Sequence, residues 1–279
     1  MSDRITAAAR RESLALLAPG IAVLLLAFLL PVAVILVTSV RDPAGGLTAA
    51  HFAKFFVDDY YLRIAWRTLR LALAITAVTV IFGLPLAWIM VRAGPRLRFA
   101  IMLMVILPLM TSVVIRTFGW LVVLGNGGLL ARLGEFLGLD GRALVLMHTE
   151  TGVVIAMAQV LLPFMVLTLL GVLRAIPRDL EEAARTMGAG FWATMRLVVL
   201  PLAVPGIVSG SLIVFALSIS SFITPSLVGG VRLPVLASSI YQSIGGSFDW
   251  PFAAAQSVLL LAATLAVIIP YTRLARGRT

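Results

Sequence analysis

Long apolar runs separated by short polar interruptions set the plan of this chain. The runs cover residues 14–40, 71–91, 99–115, 151–173, 202–223 and 251–272. Each is close to the ~20 residues a helix needs to cross a hydrocarbon core of about 30 Å. The pattern predicts an all-α membrane protein with six transmembrane helices. Gly83 and Pro85 lie within the second run and Pro163 within the fourth. Kinks there are tolerated, because neighbouring helices satisfy the freed backbone groups. Pro201 and Pro205 mark the entry to the fifth run.

The interruptions have their own character. Residues 1–13 are polar and basic, but the apolar run behind them is too long for a signal peptide, so it reads as an uncleaved first span. Residues 41–67 are polar with Phe52, Phe55, Phe56, Tyr60, Tyr61 and Trp66 throughout. Two readings stay open for them, an interfacial helix or a loop with interface anchors. Arg92 to Arg98 is a short basic turn. Residues 117–124 either prolong the third helix or fold back at the surface, and Gly125-Asn126-Gly127-Gly128 is a turn. The stretch 131–150 carries Arg132, Glu135, Asp140, Arg142, His148 and Glu150. Residues 224–250 are apolar for a loop, and part of them is expected to dip into the membrane against protein. The chain thus divides into 1–65 (tail, first helix and first connection), 66–272 (a five-helix core with a central loop at 174–201) and a basic tail at 273–279.

Composition agrees with a polytopic membrane protein: 61% hydrophobic, 12% charged, mean hydropathy +1.09. Cysteine is absent, which excludes disulfides, thiolate metal sites and cysteine nucleophiles. The net charge of +10 comes from arginines beside anionic lipid and is not read as a nucleic-acid footprint. Arg4, Arg10, Arg11, Arg92, Arg96, Arg98, Arg174, Arg178, Arg185, Arg196, Arg273, Arg276 and Arg278 share the side of the termini. They outnumber Arg41, Lys54, Arg63, Arg67, Arg132, Arg142 and Arg232 opposite, and fall in shorter loops. The positive-inside rule therefore makes both termini and the central loop cytoplasmic. Lys54 is the sole lysine and lies in no glycine-rich loop, so the chain has no phosphate-binding loop and no ATP site of its own.

The central loop is the densest charge cluster, with Arg174, Arg178, Asp179, Glu181, Glu182 and Arg185. Pro177 stops the preceding helix, and Asp179 with Glu182 has capping-box spacing. Glu181 and Glu182 suit the positive end of a helix dipole, Ala183 and Ala184 favour helix, and Gly188 and Gly190 end it. A short capped helix on the membrane surface is expected. Glu182-Ala183-Ala184, Gly188, Val198 and Leu200-Pro201 resemble the E-A-A-x3-G-x9-I-x-L-P signature of ABC importer permeases, with valine for isoleucine at 198. The resemblance implies the type I permease fold of a bacterial inner-membrane importer. It makes Glu181, Glu182, Ala183, Ala184 and Gly188 the helix that docks on an ATPase dimer, which holds the ATP. A second homologous permease, a periplasmic substrate-binding protein, membrane lipid and a small-molecule substrate are the other implied partners.

Weaker local patterns resemble the spermidine/putrescine group of these permeases: Gly83-Leu84-Pro85-Leu86-Ala87, Leu107-Pro108-Leu109, Arg116-Thr117-Phe118-Gly119-Trp120, Thr224-Pro225 with Leu227-Val228-Gly229-Gly230, and Asp249-Trp250-Pro251. They imply a polyamine or another small organic or inorganic solute. Catalysis is not expected, since H-E-x-x-H and G-x-S-x-G are absent and His51 and His148 lie in different loops. An ion-coupled secondary transporter is disfavoured because no Asp or Glu interrupts the six runs. Met102, Met104, Met110, Met157 and Met165 read as packing before they read as pathway. Arg116, about 25 Å along the third helix at ~1.5 Å per residue, either snorkels or bonds to carbonyls at the outer boundary, or shapes an outer gate with Phe118 and Trp120. Arg70 reaches the same level from the second helix.

Overall fold

The computed structural model describes residues 2–42, 46–138 and 144–276, with side chains described from 17 to 273. Asp140, Arg142 and Arg278, and the side chains of Arg4, Arg10, Arg11 and Arg276, lie outside the described residues. The described chain is helical: α1 (Ser2–Ser39), α2 (Ala50–Val57), α3 (Asp59–Arg92), α4 (Pro95–Met110), α5 (Val113–Leu124), α6 (Leu129–Phe136), α7 (Glu150–Ala175), α8 (Arg178–Thr186), α9 (Phe191–Thr194), α10 (Leu200–Ile219), α11 (Leu236–Gly245) and α12 (Trp250–Arg276). Among the described residues, six stretches are long and apolar enough to cross a membrane: Leu17–Ser39, Asp59–Arg92, Val113–Phe136, Glu150–Ala175, Phe191–Ile219 and Trp250–Arg273.

The expected third helix is where the pattern misled. It does not run unbroken from 99 to 115. Pro108 lies within α4, which ends at Met110. Thr111 turns extended (φ −92°, ψ 145°) and its hydroxyl donates to the Pro108 carbonyl at 2.8 Å. Ser112 is extended too, and α5 starts a new helix at Val113. Hydrophobicity is continuous across this break, so the pattern hid it. The fifth helix also starts earlier than residue 202. It begins at Phe191 and passes through a π-helical turn at Met195–Val199, where the Leu200 N–H bonds to the Met195 carbonyl. The wider turn accommodates Pro201, which has no N–H to give and whose ring crowds the preceding turn.

The chain divides into two compact units, residues 1–57 with 240–259 and residues 58–239 with 260–279. In the first, the aromatic-rich connection forms the short helix α2. Lys54 pairs with Asp249 at 3.1 Å and lies 4.0 Å from the centre of the Phe252 ring. Fully buried Gln256 donates to Ser243 at 3.1 Å.

The second unit is built on α7, packed between α3 and α10. Val153, Met157, Leu161, Met165, Leu169 and Leu173 recur every fourth residue along α7 and are all buried, forming one ridge against its neighbours. Glycines let those neighbours close in. A Cβ on Gly83 of α3 would stand 2.7 Å from Met165 Cγ, and one on Gly210 of α10 would stand 2.6 Å from Met165 Sδ. Met157 and Met165 are therefore packing, whereas Met104 and Met110 face outward. Residues 224–236 fold against protein, with Thr224, Val228, Val235 and Leu236 buried. The Leu236 N–H bonds to Thr68 of α3 at 2.8 Å.

Candidate functional site

Helix α8 is a two-faced helix just beyond the end of α7. Pro177 is its N-cap, with φ −60° and no side-chain cap bond. The expected capping box from Asp179 to Glu182 is therefore not formed: the proline's extended backbone starts the helix one residue ahead of Asp179. Asp179 and Glu181 instead occupy the first turn, where the dipole favours them. The helix ends at Thr186, and Gly188 takes φ +86°, a left-handed conformation that glycine adopts without cost. Ala189 N–H then bonds to the Ala184 carbonyl at 3.0 Å. Glu182, Ala183, Gly188 and Met187 are exposed, as is Leu180. Glu181 and Ala184, one turn apart, are buried. Of the residues singled out in the sequence, Glu182, Ala183 and Gly188 thus share the outer surface, while Glu181 and Ala184 face the protein.

The buried face is tied to the C-terminal end of α3. Arg92 donates through Nε to Glu181 Oε1 at 3.0 Å, and its Nη2 reaches the same oxygen. The side chains are 16% and 8% exposed, so this is a largely desolvated pair. Arg178 of α8 donates to the Val91 carbonyl at 3.4 Å. From the other flank, Arg98 of α4 donates to the carbonyls of Met90, Val91 and Ala93 at 3.0, 3.2 and 3.3 Å. Guanidinium groups so placed satisfy the orphan carbonyls at the negative end of the α3 dipole. Trp88 of α3 meets Phe191 edge-on, with ring centres 5.4 Å apart. Sequence spacing carried no sign of these long-range pairs.

At the other end of α3, Arg67 and Arg70 both pair with Glu150, the first residue of α7. Arg70 therefore has an ionic partner within the chain and does not act as a lone snorkelling cation. Arg67 also donates to the Pro234 carbonyl at 3.3 Å. His148 has φ +60°, and its Nδ1 lies 3.3 Å from the Gly229 carbonyl.

Arg116 sits in the first turns of α5 and donates to the Thr111 carbonyl at 3.1 Å, answering the helix break. Its Nε and Nη1 are buried with no partner among the described residues. Trp120, on the same face one turn on, donates to Gln159 of α7 at 3.3 Å. Phe118 points elsewhere and is exposed. The three do not form one constellation. Beside them, buried Thr117 shares a hydrogen bond with buried Thr224 at 3.0 Å. No group of acidic or histidine side chains that could hold a metal ion occurs among the described residues.

Comparison with known proteins gives a consistent picture. The family model of the binding-protein-dependent transport system inner membrane component matches residues 79–277. The spermidine/putrescine transport system permease protein PotB of Haemophilus influenzae is 30% identical over 227 residues, which are 81% of this chain and 79% of that protein. The molybdenum transport system permease protein ModB of Azotobacter vinelandii is 36% identical over 163 residues, 58% of this chain and 70% of that protein. A bacterial ABC transporter involved in the import of the acidic polysaccharide alginate has a chain that superposes with a TM-score of 0.77 at 20% identity, covering 98% of this chain and 99% of that one. At that identity the likeness is one of fold.

Proposed function

Because the chain belongs to the family of binding-protein-dependent transport system inner membrane components, we propose that it supplies half of a solute path in an ATP-driven importer and passes polyamines such as spermidine or putrescine. As a member of that family it is a transport component of the inner membrane and not an enzyme. The observation that carries the mechanistic reading is α8, an exposed helix between two membrane-length helices, held by its inner face and offering Leu180, Glu182, Ala183 and Met187 outward. An ATPase subunit seats this outer face in a groove. Closure of the ATPase dimer draws α8 toward its counterpart on a second permease and switches the cavity between them. A periplasmic binding protein delivers the solute from the opposite side. The arginine bias of the loops orients α8 and both termini toward the cytoplasm.

The polyamine reading rests on kinship with the spermidine/putrescine permeases. It also suits the spans of this chain. No carboxylate interrupts residues 71–91, 151–173 or 202–219, so a polycation meets no deep electrostatic trap here once its binding protein has released it. A second reading, an oxyanion, is favoured by two observations: Arg116 keeps two buried guanidinium nitrogens without partners among the described residues, and a molybdenum permease is among the relatives. Reconstitution of the complex with its ATPase and binding protein separates the two. Spermidine or putrescine is expected to stimulate ATP hydrolysis and accumulate inside vesicles. Stimulation by molybdate or sulfate with none by polyamines would replace the first reading with the second.

A further inference from the structure

Helix α8 has two faces; it packs on the start of the fifth helix that follows it, and the side-chain bonds of its inner face reach α3. Glu181 and Arg92 lie 89 residues apart in sequence, yet their side chains meet in a largely desolvated pair. Arg178 adds a bond to the Val91 carbonyl, and Phe191, just past α8, stacks edge-on against Trp88. All these contacts fall on the last turns of α3. At its far end, α3 holds the 224–236 segment through Arg67 to Pro234 and Thr68 to Leu236. It also holds the start of α7 through Arg67 and Arg70 on Glu150. α3 has 34 residues and is therefore about 50 Å long at ~1.5 Å per residue. It thus reaches both α8 and the 224–236 segment through named side chains.

We propose that the Arg92–Glu181 pair is a positioning strut: it locks α8 to α3 so that a displacement of α8 by the ATPase moves α3, and with it the 224–236 segment, as one body. Glu181 then serves transmission, whereas Glu182 and its exposed neighbours serve docking. A buried ion pair suits this task. Sliding or rotating α8 strands an uncompensated charge in a dry site, so the pair resists partial displacement. Small shifts at α8 are carried along α3, whose Pro85 turn is braced at Gly83 by Met165 of α7. The proposal rests on the reading of α8 as the ATPase-docking helix.

The test uses the full complex in proteoliposomes, comparing the wild type with Glu181→Gln. Three quantities are read: ATPase co-purification, basal hydrolysis, and solute transported per ATP when loaded binding protein is added. Glu181→Gln is expected to co-purify and hydrolyse ATP at the basal rate, while transport per ATP falls about tenfold, within the usual range of a coupling interaction. The chain has no cysteine, so Arg92→Cys with Glu181→Cys introduces a unique pair that a short bifunctional thiol reagent can bridge. The uncrosslinked pair is expected to be uncoupled, and crosslinking is expected to restore transport, because a strut works as well when covalent. Transport that is normal in Glu181→Gln, or inactivation on crosslinking, would overturn the proposal. The second outcome would mean that α8 must move relative to α3. Loss of ATPase binding in Glu181→Gln alone would assign the residue to docking and also overturn it. A wild-type chain that binds no ATPase would refute the docking reading itself.

Discussion

Met165 is wedged between two glycines, and the two sides of the wedge are unequal. A Cβ added at Gly83 falls 2.7 Å from Met165 Cγ and 3.4 Å from its Cβ. Those atoms are close to the α7 backbone and shift only if χ1 rotates or the helix moves. A Cβ at Gly210 falls 2.6 Å from Sδ and 3.5 Å from Cε, the far end of a flexible side chain that rotates away about χ2 and χ3. Overpacking a tight core costs about 1–3 kcal/mol, while replacing a helical glycine by alanine gains up to about 1 kcal/mol. Gly83→Ala is therefore expected to destabilise by about 1–2 kcal/mol, and Gly210→Ala to change stability by less than about 1 kcal/mol. Met165 is completely buried, so Met165→Ala costs about 2–5 kcal/mol by itself. On that background the obstruction is gone, and Gly83→Ala should become stabilising. Reversible unfolding of the detergent-solubilised chain by SDS titration measures each corner of the cycle. An equal effect of Gly83→Ala in both backgrounds, or a larger cost at Gly210 than at Gly83, would refute the wedge.

Other outcomes follow from the two ends of α3 and α8. Glu150→Gln removes the carboxylate shared by Arg67 and Arg70 at the α7 N-terminus, where all three side chains are partly exposed. A loss of about 1 kcal/mol is expected, shrinking in high salt as screened surface charges do. A salt-independent loss of several times that size would mean the cluster is dry. Gly188 has φ +86° and open space around it, so backbone strain of about 1–2 kcal/mol is what a side chain adds there. Gly188→Asn is expected to keep more substrate-stimulated ATPase activity than Gly188→Ala, because asparagine tolerates the left-handed region. The reverse ranking would show that the ATPase surface, and not φ, demands glycine.

The membrane helices other than the third, which falls at Val113–Phe136 and not at 99–115, were legible because hydrophobic runs of bilayer length have one solution for their backbone polar groups. The short helix at 178–186 was legible because proline, acidic first turn, alanines and glycines all agreed on it. The break at Thr111-Ser112 was not, since the residues on both sides are equally apolar and only Pro108 signalled it. The π turn before Pro201 was hidden for a similar reason: a proline reads as a boundary, and the structure absorbs it inside a continuous helical run. Glu181 and Glu182 look alike in sequence. Helical rotation of ~100° per residue places one against Arg92 and the other outside, a division that only the packing of α3 reveals.

The absence of native cysteines makes the central claim directly measurable. A single cysteine at Ala183, on the exposed face of α8, and a control at Val231, which is 99% exposed, are each introduced into the assembled complex in inner-membrane vesicles. A short heterobifunctional reagent that joins a thiol to a lysine amine of a neighbouring subunit is then applied. The α8 docking account predicts that the cysteine at 183 joins this chain to the ATPase subunit, while the one at 231 does not and is labelled only from the periplasmic side. A cysteine at 183 that is labelled from the periplasm, or that never reaches the ATPase while the one at 231 does, would contradict it.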